Sequence, residues 1–319
     1  MTEVRTLLKH ARDLRDDAVL APLFDALADA PGRLGFVGGI VRDWLLDRWF
    51  DKDIDLVWDG PFEALSAALH KADLRGRLRP DYLTATVNAG ELRVDVAATR
   101  RDTYPTPGGV PRIEPASLDD DLRRRDFTAN AIAVFPDTEE VVDPCNGLTD
   151  IRARRLVPIR ENTLLEDPVR LLRGVRYLSR FGWQPGGDWE PGLNAARSVD
   201  TWRVVARGRI WREVEHVADE PDAPAAWTWL RQFSFDTALL GIAMDPPIID
   251  VLAAWRMRFA PLPRVGTGRR WLLDLHTLET AAPGVAAWIR DNWDTPAEQL
   301  RRYEKLARRI AQGLAPFRS

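Results

Sequence analysis

The sequence predicts an α+β chain whose strands gather in the first half and whose second half is helical. Three observations carry this. Within residues 35–57 an apolar run closes at Val37, breaks at Gly38-Gly39, and resumes at helical spacing through Ile40, Val41, Trp44 and Leu45. It then returns as the alternating Asp53-Ile54-Asp55-Leu56-Val57, so the reading is strand, turn, helix, strand. Two further strand-like runs, 83–89 and 92–98, flank the turn candidate Ala89-Gly90. Beyond Trp183, after a Gly/Pro-rich loop over 184–192, the pattern is helical.

Length and composition bound the rest. The 319 residues suffice for two or three modules with cores of their own. At 45% hydrophobic and 29% charged, the composition is that of an ordinary globular chain. No apolar run reaches membrane-spanning length, and the charges inside the first apolar patch, Met1 to His10, do not fit a secretory signal. The cytoplasm is the expected compartment, and no membrane or protein partner is implied. The single cysteine, Cys145, excludes an internal disulfide and a Cys-based zinc site. A net charge of −3 excludes a basic nucleic-acid coat, so contact with a polyanion must come from local arginine patches. The 13 Trp are assigned to packing rather than to base stacking.

In chain order, residues 5–30 read as one or two helices ended by Pro31-Gly32, and 61–70 as another. The Pro- and Gly-rich residues 100–115 read as an extended, mobile loop. Ser117 caps a short acidic helix, and Arg123-Arg124-Arg125 follow it, just before the apolar run 131–135. Charges placed at the start of a buried strand need an anionic partner. Val141-Val142 is a strand, with Asp143 and Asn146 able to cap the turn after it. Pro168 opens a helix with Leu171, Leu172, Val175, Leu178 and Phe181 on one face, and Arg170, Arg173 and Arg180 largely on another. An i,i+4 pair, Arg209 with Glu213, and a capping box at 295–298 mark later helices.

The chemistry concentrates at four places. A Gly38-Gly39 turn at a helix start lets backbone amides approach a phosphate, and Arg42 adds a cation, which makes an anion site of Gly38, Gly39 and Arg42. Asp53 and Asp55 alternate in a strand and therefore share a face. Carboxylates that close repel unless a cation lies between them; a hard divalent ion prefers oxygen ligands and is completed by substrate phosphates. Either half alone reads first as a Gly turn or a polar strand face; their joint occurrence in one strand-turn-helix-strand unit reverses that in favour of a metal–nucleotide site. Asp95 is either a third carboxylate at the metal or a residue solvated at a sheet edge. Glu166, Asp167 and Arg170 either belong to a solvated helix face or form one cluster pointing at a ligand.

Taken in order, Gly-Gly-Ile-Val-Arg-Asp, Asp-Ile-Asp-Leu-Val, Arg-Arg-Asp-Phe-Thr-Ala-Asn-Ala, Asp-Pro-Cys-Asn-Gly-Leu-Thr-Asp and Glu-Asp-Pro-Val-Arg-Leu-Leu-Arg closely resemble the motifs of the class II tRNA nucleotidyltransferases. These are the bacterial CCA-adding enzymes and their A-adding, CC-adding and poly(A) polymerase relatives; the resemblance covers residues 33 to about 215. It implies a nucleotidyltransferase head with a small mixed sheet over 1–150, a helical neck with the base-selection motif over 151–220, and a reduced helical body and tail for RNA over 221–319. The implied reaction is template-independent addition of CMP or AMP, from CTP or ATP, to the tRNA 3′ end.

By that resemblance Asp53 and Asp55 hold two Mg2+ ions and are the catalytic pair, and Gly38, Gly39 and Arg42 hold the triphosphate. Arg124, Arg125, Asp126 and Asn130 bind ribose and phosphate. Glu166 orients the templating pair, while Asp167 and Arg170, with Arg173 beside them, read the base edge. Arg209 and Glu213 resemble a helix-stabilising motif. The loop 100–115 stands where the family has a flexible loop that CC-only enzymes shorten, which tilts the expectation towards A addition. CC-only addition and poly(A) synthesis are the alternatives of the same class. A non-catalytic RNA- or nucleotide-binding protein on this fold is the alternative from a different class.

Overall fold

The alternating runs of the first half fold into β1 (Arg33–Val37), β2 (Asp53–Asp59), β3 (Gly76–Arg79), β4 (Thr84–Ala89), β5 (Leu92–Ala98), β6 (Arg100–Thr103), β7 (Arg112–Pro115), β8 (Ala133–Phe135) and β9 (Glu140–Val142) in the computed structural model. It describes residues 2–48, 53–74, 76–89, 92–187, 189–197, 202, 204–259, 269–292 and 297–312. Seven of these strands form one mixed sheet in the order β3-β4-β5-β2-β1-β8-β9; β2 and β5 are parallel, and the other neighbours are antiparallel. The chain divides into two compact units, Met1–Pro105 with Val110–Thr163, and Thr106–Gly109 with Leu164–Ser319.

In the first unit, α1 (Thr2–Arg15), α2 (Ala21–Leu27), α3 (Gly39–Leu45) and α4 (Phe62–Lys71) answer the expected helices. Phe36 of β1 meets Trp44 of α3 edge-on at 5.1 Å and Phe24 of α2 at 5.5 Å between ring centroids. Ile54, Leu56 and Trp58 of β2 are fully buried on the same side of the strand, each contributing about 1.5–3 kcal/mol by leaving water. The other side of β2 changes character along its length. Val57 joins Val37, Leu118, Leu122, Ala133 and Phe135 in a second core cluster beneath α5 (Leu118–Arg123). Two residues earlier on that side stands Asp55, which is exposed.

Residues 100–115 depart from the expected loop. β6 pairs with β7, Arg100 opposite Pro115 and Thr103 opposite Arg112. Pro105, Pro107 and Pro111 fall in the connection and Pro115 at the end of an edge strand, so none removes a needed ladder donor. Ser117 caps α5, its hydroxyl accepting from Asp120 N at 3.2 Å. Asp143 caps α6 (Gly147–Arg152), its carboxylate accepting from the backbone of Gly147 and Leu148 at 2.7 and 2.9 Å.

The second unit is helical. After α7 (Thr163–Glu166), α8 (Val169–Phe181) buries Leu171, Leu172, Val175 and Leu178, as its pattern requires. The stretch 184–192 is not wholly loop, because α9 (Glu190–Ala196) begins inside it with Pro191 in its first turn. Helices Arg207–Asp219, Ala223–Gln232, Asp236–Leu240, Pro246–Phe259, Arg269–Ala281, Val285–Asn292 and Ala297–Ala311 follow. The expected Arg209–Glu213 pair is replaced by longer-range partners: Glu213 accepts from Arg176 Nη1 at 2.7 Å, and Arg209 reaches Asp167. Glu220, almost fully buried, takes Arg176 Nε at 3.0 Å and Arg180 Nε at 2.8 Å. Trp58, Trp183, Trp211 and Trp227 are buried, consistent with packing. Gly90, Thr295, Pro296 and Leu314 lie outside the described residues. Among the described residues no helix is long and apolar enough to cross a membrane.

Candidate active site

In the first unit the chain leaves β1 at Val37 and turns into α3 through Gly38, whose φ of +80° is a left-handed value that favours glycine. The missing side chain keeps a small space open. A Cβ at Gly38 would lie 3.4 Å from Arg125 Nη1 and 3.6 Å from Asp55 Oδ2. Gly38, Asp55 and Arg125, separated by up to 87 positions in sequence, therefore border one point. Asp53 shares the Asp55 face by strand period; its side chain lies outside the described set. Asp95 stands opposite Asp55 in the parallel register, on an interior strand rather than a sheet edge. It accepts from Thr86 Oγ1 at 2.5 Å and pairs with Arg93 Nη2 at 3.2 Å.

This donor set is carboxylate oxygen with a hydroxyl beside it, the hard-ligand chemistry that suits a divalent cation of the magnesium or calcium type. A Cβ at Gly38 would fill the space between the Arg125 guanidinium and the Asp55 carboxylate. The residues thus fit such an ion. Among the described residues, no group of three or more His, Cys, Asp and Glu gathers to hold a metal alone.

Arg42, Asp126 and Asn130 form a buried relay. Arg42 donates from Nη1 to Asn130 Oδ1 at 2.6 Å and from Nε to Asp43 Oδ1 at 2.9 Å; Asn130 Nδ2 donates to Asp126 Oδ1 at 2.9 Å. Phe127 N donates to the same Asp126 oxygen at 2.8 Å. The relay ties α3 to residues 126–130, and Arg42 Nη2 lies 3.4 Å from where a Gly39 Cβ would be.

The anionic partner that the arginine motif requires comes from the protein. Asp121, fully buried, accepts from Arg124 Nε at 2.9 Å and from Arg125 Nη2 at 3.0 Å. Asp102 of β6 accepts from Arg124 Nη1 at 3.0 Å and pairs with Arg100 Nε at 3.1 Å. Burial alone raises the Asp121 carboxyl, but the charges of Arg125 and Arg124 outweigh it and hold the group below the usual carboxylate range. Burial, reinforced by repulsion from Arg124, lowers Arg100. The buried Arg125 Nε has no hydrogen-bond partner in the structure.

In the second unit, Asp167 is buried just before α8. Its Oδ2 accepts from Arg209 Nη2 at 2.5 Å, and its Oδ1 accepts from Val169 N at 3.3 Å. A carboxylate has about four lone-pair sites, so acceptor capacity is left over. Arg170, also buried, pairs with Glu166 at 3.6 Å, and the Glu166 carbonyl accepts from Gly108 N at 2.9 Å. Arg173 donates to Tyr177 Oη at 3.1 Å, with its guanidinium 5.8 Å from that ring. Glu166, Asp167 and Arg170 are thus brought together, while Arg173 turns to Tyr177.

Asp121, Asp102, Thr86 and the reach of Arg209 to Asp167 escaped the sequence reading. One signal was present: Asp121 stands three and four residues before Arg124 and Arg125, the spacing at which helix side chains meet. Its position in an acidic first turn masked that signal.

Residues 34–157 match the poly(A) polymerase head domain. The A-adding tRNA nucleotidyltransferase of Aquifex aeolicus is 36% identical over 57% of this chain and 23% of its own length. The A-adding tRNA nucleotidyltransferase of Halalkalibacterium halodurans is 32% identical over 75% of this chain and 57% of its own length. The CC-adding tRNA nucleotidyltransferase of Deinococcus radiodurans is 32% identical over 80% and 65%, so the chain spans less than two thirds of each of these relatives. Among solved structures, an apo CCA-adding enzyme superposes with a TM-score of 0.77 at 22% identity, over 98% of this chain and 77% of that one. The Thermotoga maritima CCA-adding enzyme complexed with tRNA gives 0.73 at 22% identity over 97% and 73%, a likeness of fold. Enzymes of this family generally use divalent metal ions. The head-domain match places residues 34–157 in the poly(A) polymerase head-domain family, and the relatives make the chain similar to the A-adding and CC-adding tRNA nucleotidyltransferases.

Proposed function

We propose that this chain adds CMP and AMP, from CTP and ATP, to the 3′ end of tRNA in the cytoplasm without a nucleic-acid template. The observation that carries the reading is the point bordered by Gly38, Arg125 and Asp55, an open glycine turn with a guanidinium and a strand carboxylate on either side. Asp53 and Asp55 are the catalytic pair, and Asp95 is a third candidate carboxylate for the same purpose. When bound there, two magnesium ions would supply charge neutralisation of the triphosphate and acidify the RNA 3′-hydroxyl for in-line attack. Gly38 and Gly39 bring backbone amides to the triphosphate, and Arg125 gives it a cation. Arg42, Asp126 and Asn130 hold that turn, and Arg124 anchors the arginine motif.

Asp167 and Arg170 offer an acceptor and a donor to the base edge, Glu166 orients Arg170 through their ion pair, and Arg173 borders them. A carboxylate beside a guanidinium complements cytosine and, after a small re-registration, adenine. Residues 1–150 serve as head, 151–220 as neck, and 221–319 as a helical body and tail that meets RNA. A second reading, addition of CC alone, is supported by the match to the Deinococcus radiodurans CC-adding relative. The presence of the unshortened segment 100–115 tilts the reading towards A addition.

The test is incorporation of labelled CTP or ATP, with magnesium, onto tRNA ending before CCA, after C, or after CC. The expected result is C on the first two and A on the third. C without A assigns CC-only addition, and long A tails on other primers assign a poly(A) polymerase. No incorporation on any primer overturns catalysis in favour of a silent binding protein.

A further inference from the structure

One side of the sheet carries a polar row that runs into the candidate carboxylates and whose other members, Arg77, Arg79, Asn88 and Arg93, the roles above leave unused. In the strand register Arg77 of β3 stands opposite Thr86 of β4, Thr86 opposite Asp95 of β5, and Asp95 opposite Asp55 of β2. Residues directly opposite one another share a sheet face, so four strands present one line from the outer edge to the candidate carboxylates. The Thr86–Asp95 hydrogen bond and the Arg93–Asp95 ion pair tie its inner end together. By strand period Arg79, Asn88 and Arg93 stand on the same face, while Ala85, Val87, Val94 and Val96 are buried on the other. Arg77, Arg79, Asn88 and Arg93 are exposed. Among the described residues neither Arg77 nor Arg79 has an ion-pair partner.

Charge on β3 alone is explained by edge protection, since arginines on an outer strand discourage pairing with another chain. That explanation does not reach Arg93, which lies on an interior strand. The line instead grades from arginine at the edge, through hydroxyl and amide groups, to carboxylate at the candidate site. Three strand spacings of about 4.8 Å make it about 14 Å long. A polyanion is drawn to the outer end, and its terminus is delivered where a bound cation offsets the acids.

We propose that this row seats the single-stranded 3′ end of the RNA acceptor. Arg77, Arg79 and Arg93 meet backbone phosphates, Thr86 and Asn88 meet sugar or base edges, and the 3′-hydroxyl lies at Asp55. The proposal rests on the reading of Asp55 as the place of nucleotidyl transfer. Backbone contacts of this kind are indifferent to sequence and sensitive to salt.

The test measures binding of tRNA lacking its CCA end, and of a single-stranded RNA oligonucleotide, to the full chain and to Arg77→Gln/Arg79→Gln and Arg93→Gln, as a function of salt. With about 0.7 of logarithmic slope per phosphate, the double variant should lose about 1.4 and bind on the order of ten- to thirtyfold more weakly at 0.1 M salt. CTP binding should stay within about twofold. Independently, 4-thiouridine placed in the nucleotides just before the RNA 3′ end should crosslink to β3, β4 or β5 of the unaltered chain. An unchanged salt slope with no crosslink in these strands overturns the row alone. Absence of any RNA binding by the unaltered chain overturns the acceptor reading and the row with it.

Discussion

Both units hold a buried carboxylate bound by arginine, but the two pairs work in opposite senses. In the arginine motif Asp121 is the sunken member, and Arg125 runs from it to the point shared with Gly38 and Asp55. There the acid aims the arginine. At the start of α8 the partner, Arg209, is the more exposed member, and it grips Asp167 from a helix 42 residues away. There the arginine aims the acid. A site that must neutralise phosphate needs a cation held out by a fixed anion; a site that must read a base edge needs an acceptor held in one orientation. On the proposed reading of the two sites, the same ion pair, inverted, would serve both.

The largest effect should come from breaking the first pair. Asp121→Ala leaves two guanidinium groups without their shared anion and should lower the unfolding free energy by about 3–5 kcal/mol, read from urea denaturation. A pH series sharpens this. Because the folded carboxyl lies below its ordinary value, its contribution is full above the unfolded pKa of about 3.9 and is lost as pH falls through the lowered folded value. The wild type should therefore lose more stability between neutrality and strong acid than Asp121→Asn does; equal losses would detach Asp121 from that acid limb.

A smaller effect is expected in the second pair. Arg209 is partly exposed, so Arg209→Gln should cost about 1 kcal/mol, roughly fivefold, and the loss should fall on the choice between CTP and ATP rather than on metal binding. Competition between the two nucleotides, beside titration with Mn2+, checks this. The smallest effect belongs to Ser117→Ala, which removes the cap of α5 and should cost about 1 kcal/mol or less with no change in nucleotide choice.

Much of the fold was legible because it is periodic. The alternation in β2, β4 and β5, and the 3.6-residue pattern of α8, read directly from residue spacing. The ribbon β6–β7 did not, because proline and glycine content marks turns and says nothing of the residues between them that pair across a hairpin. The ends of the candidate site were equally visible: a glycine pair, two alternating acids and an arginine run are local signals. Their supports were not. Thr86 holds Asp95 across strands, and Arg209 holds Asp167 across helices, and such partners follow from packing rather than from spacing. For Asp121 the spacing to its arginines was readable, but not its burial, which makes it an anchor instead of one more acid at a helix start.

The division of labour between the two ion pairs is tested most directly by the ratio of C to A incorporated, at equal CTP and ATP, by Asp121→Asn and Arg209→Gln beside the unaltered chain. Asp121→Asn should slow both incorporations together and leave the ratio as it was, while Arg209→Gln should move the ratio. A shifted ratio in Asp121→Asn, or an unmoved one in Arg209→Gln, would contradict it.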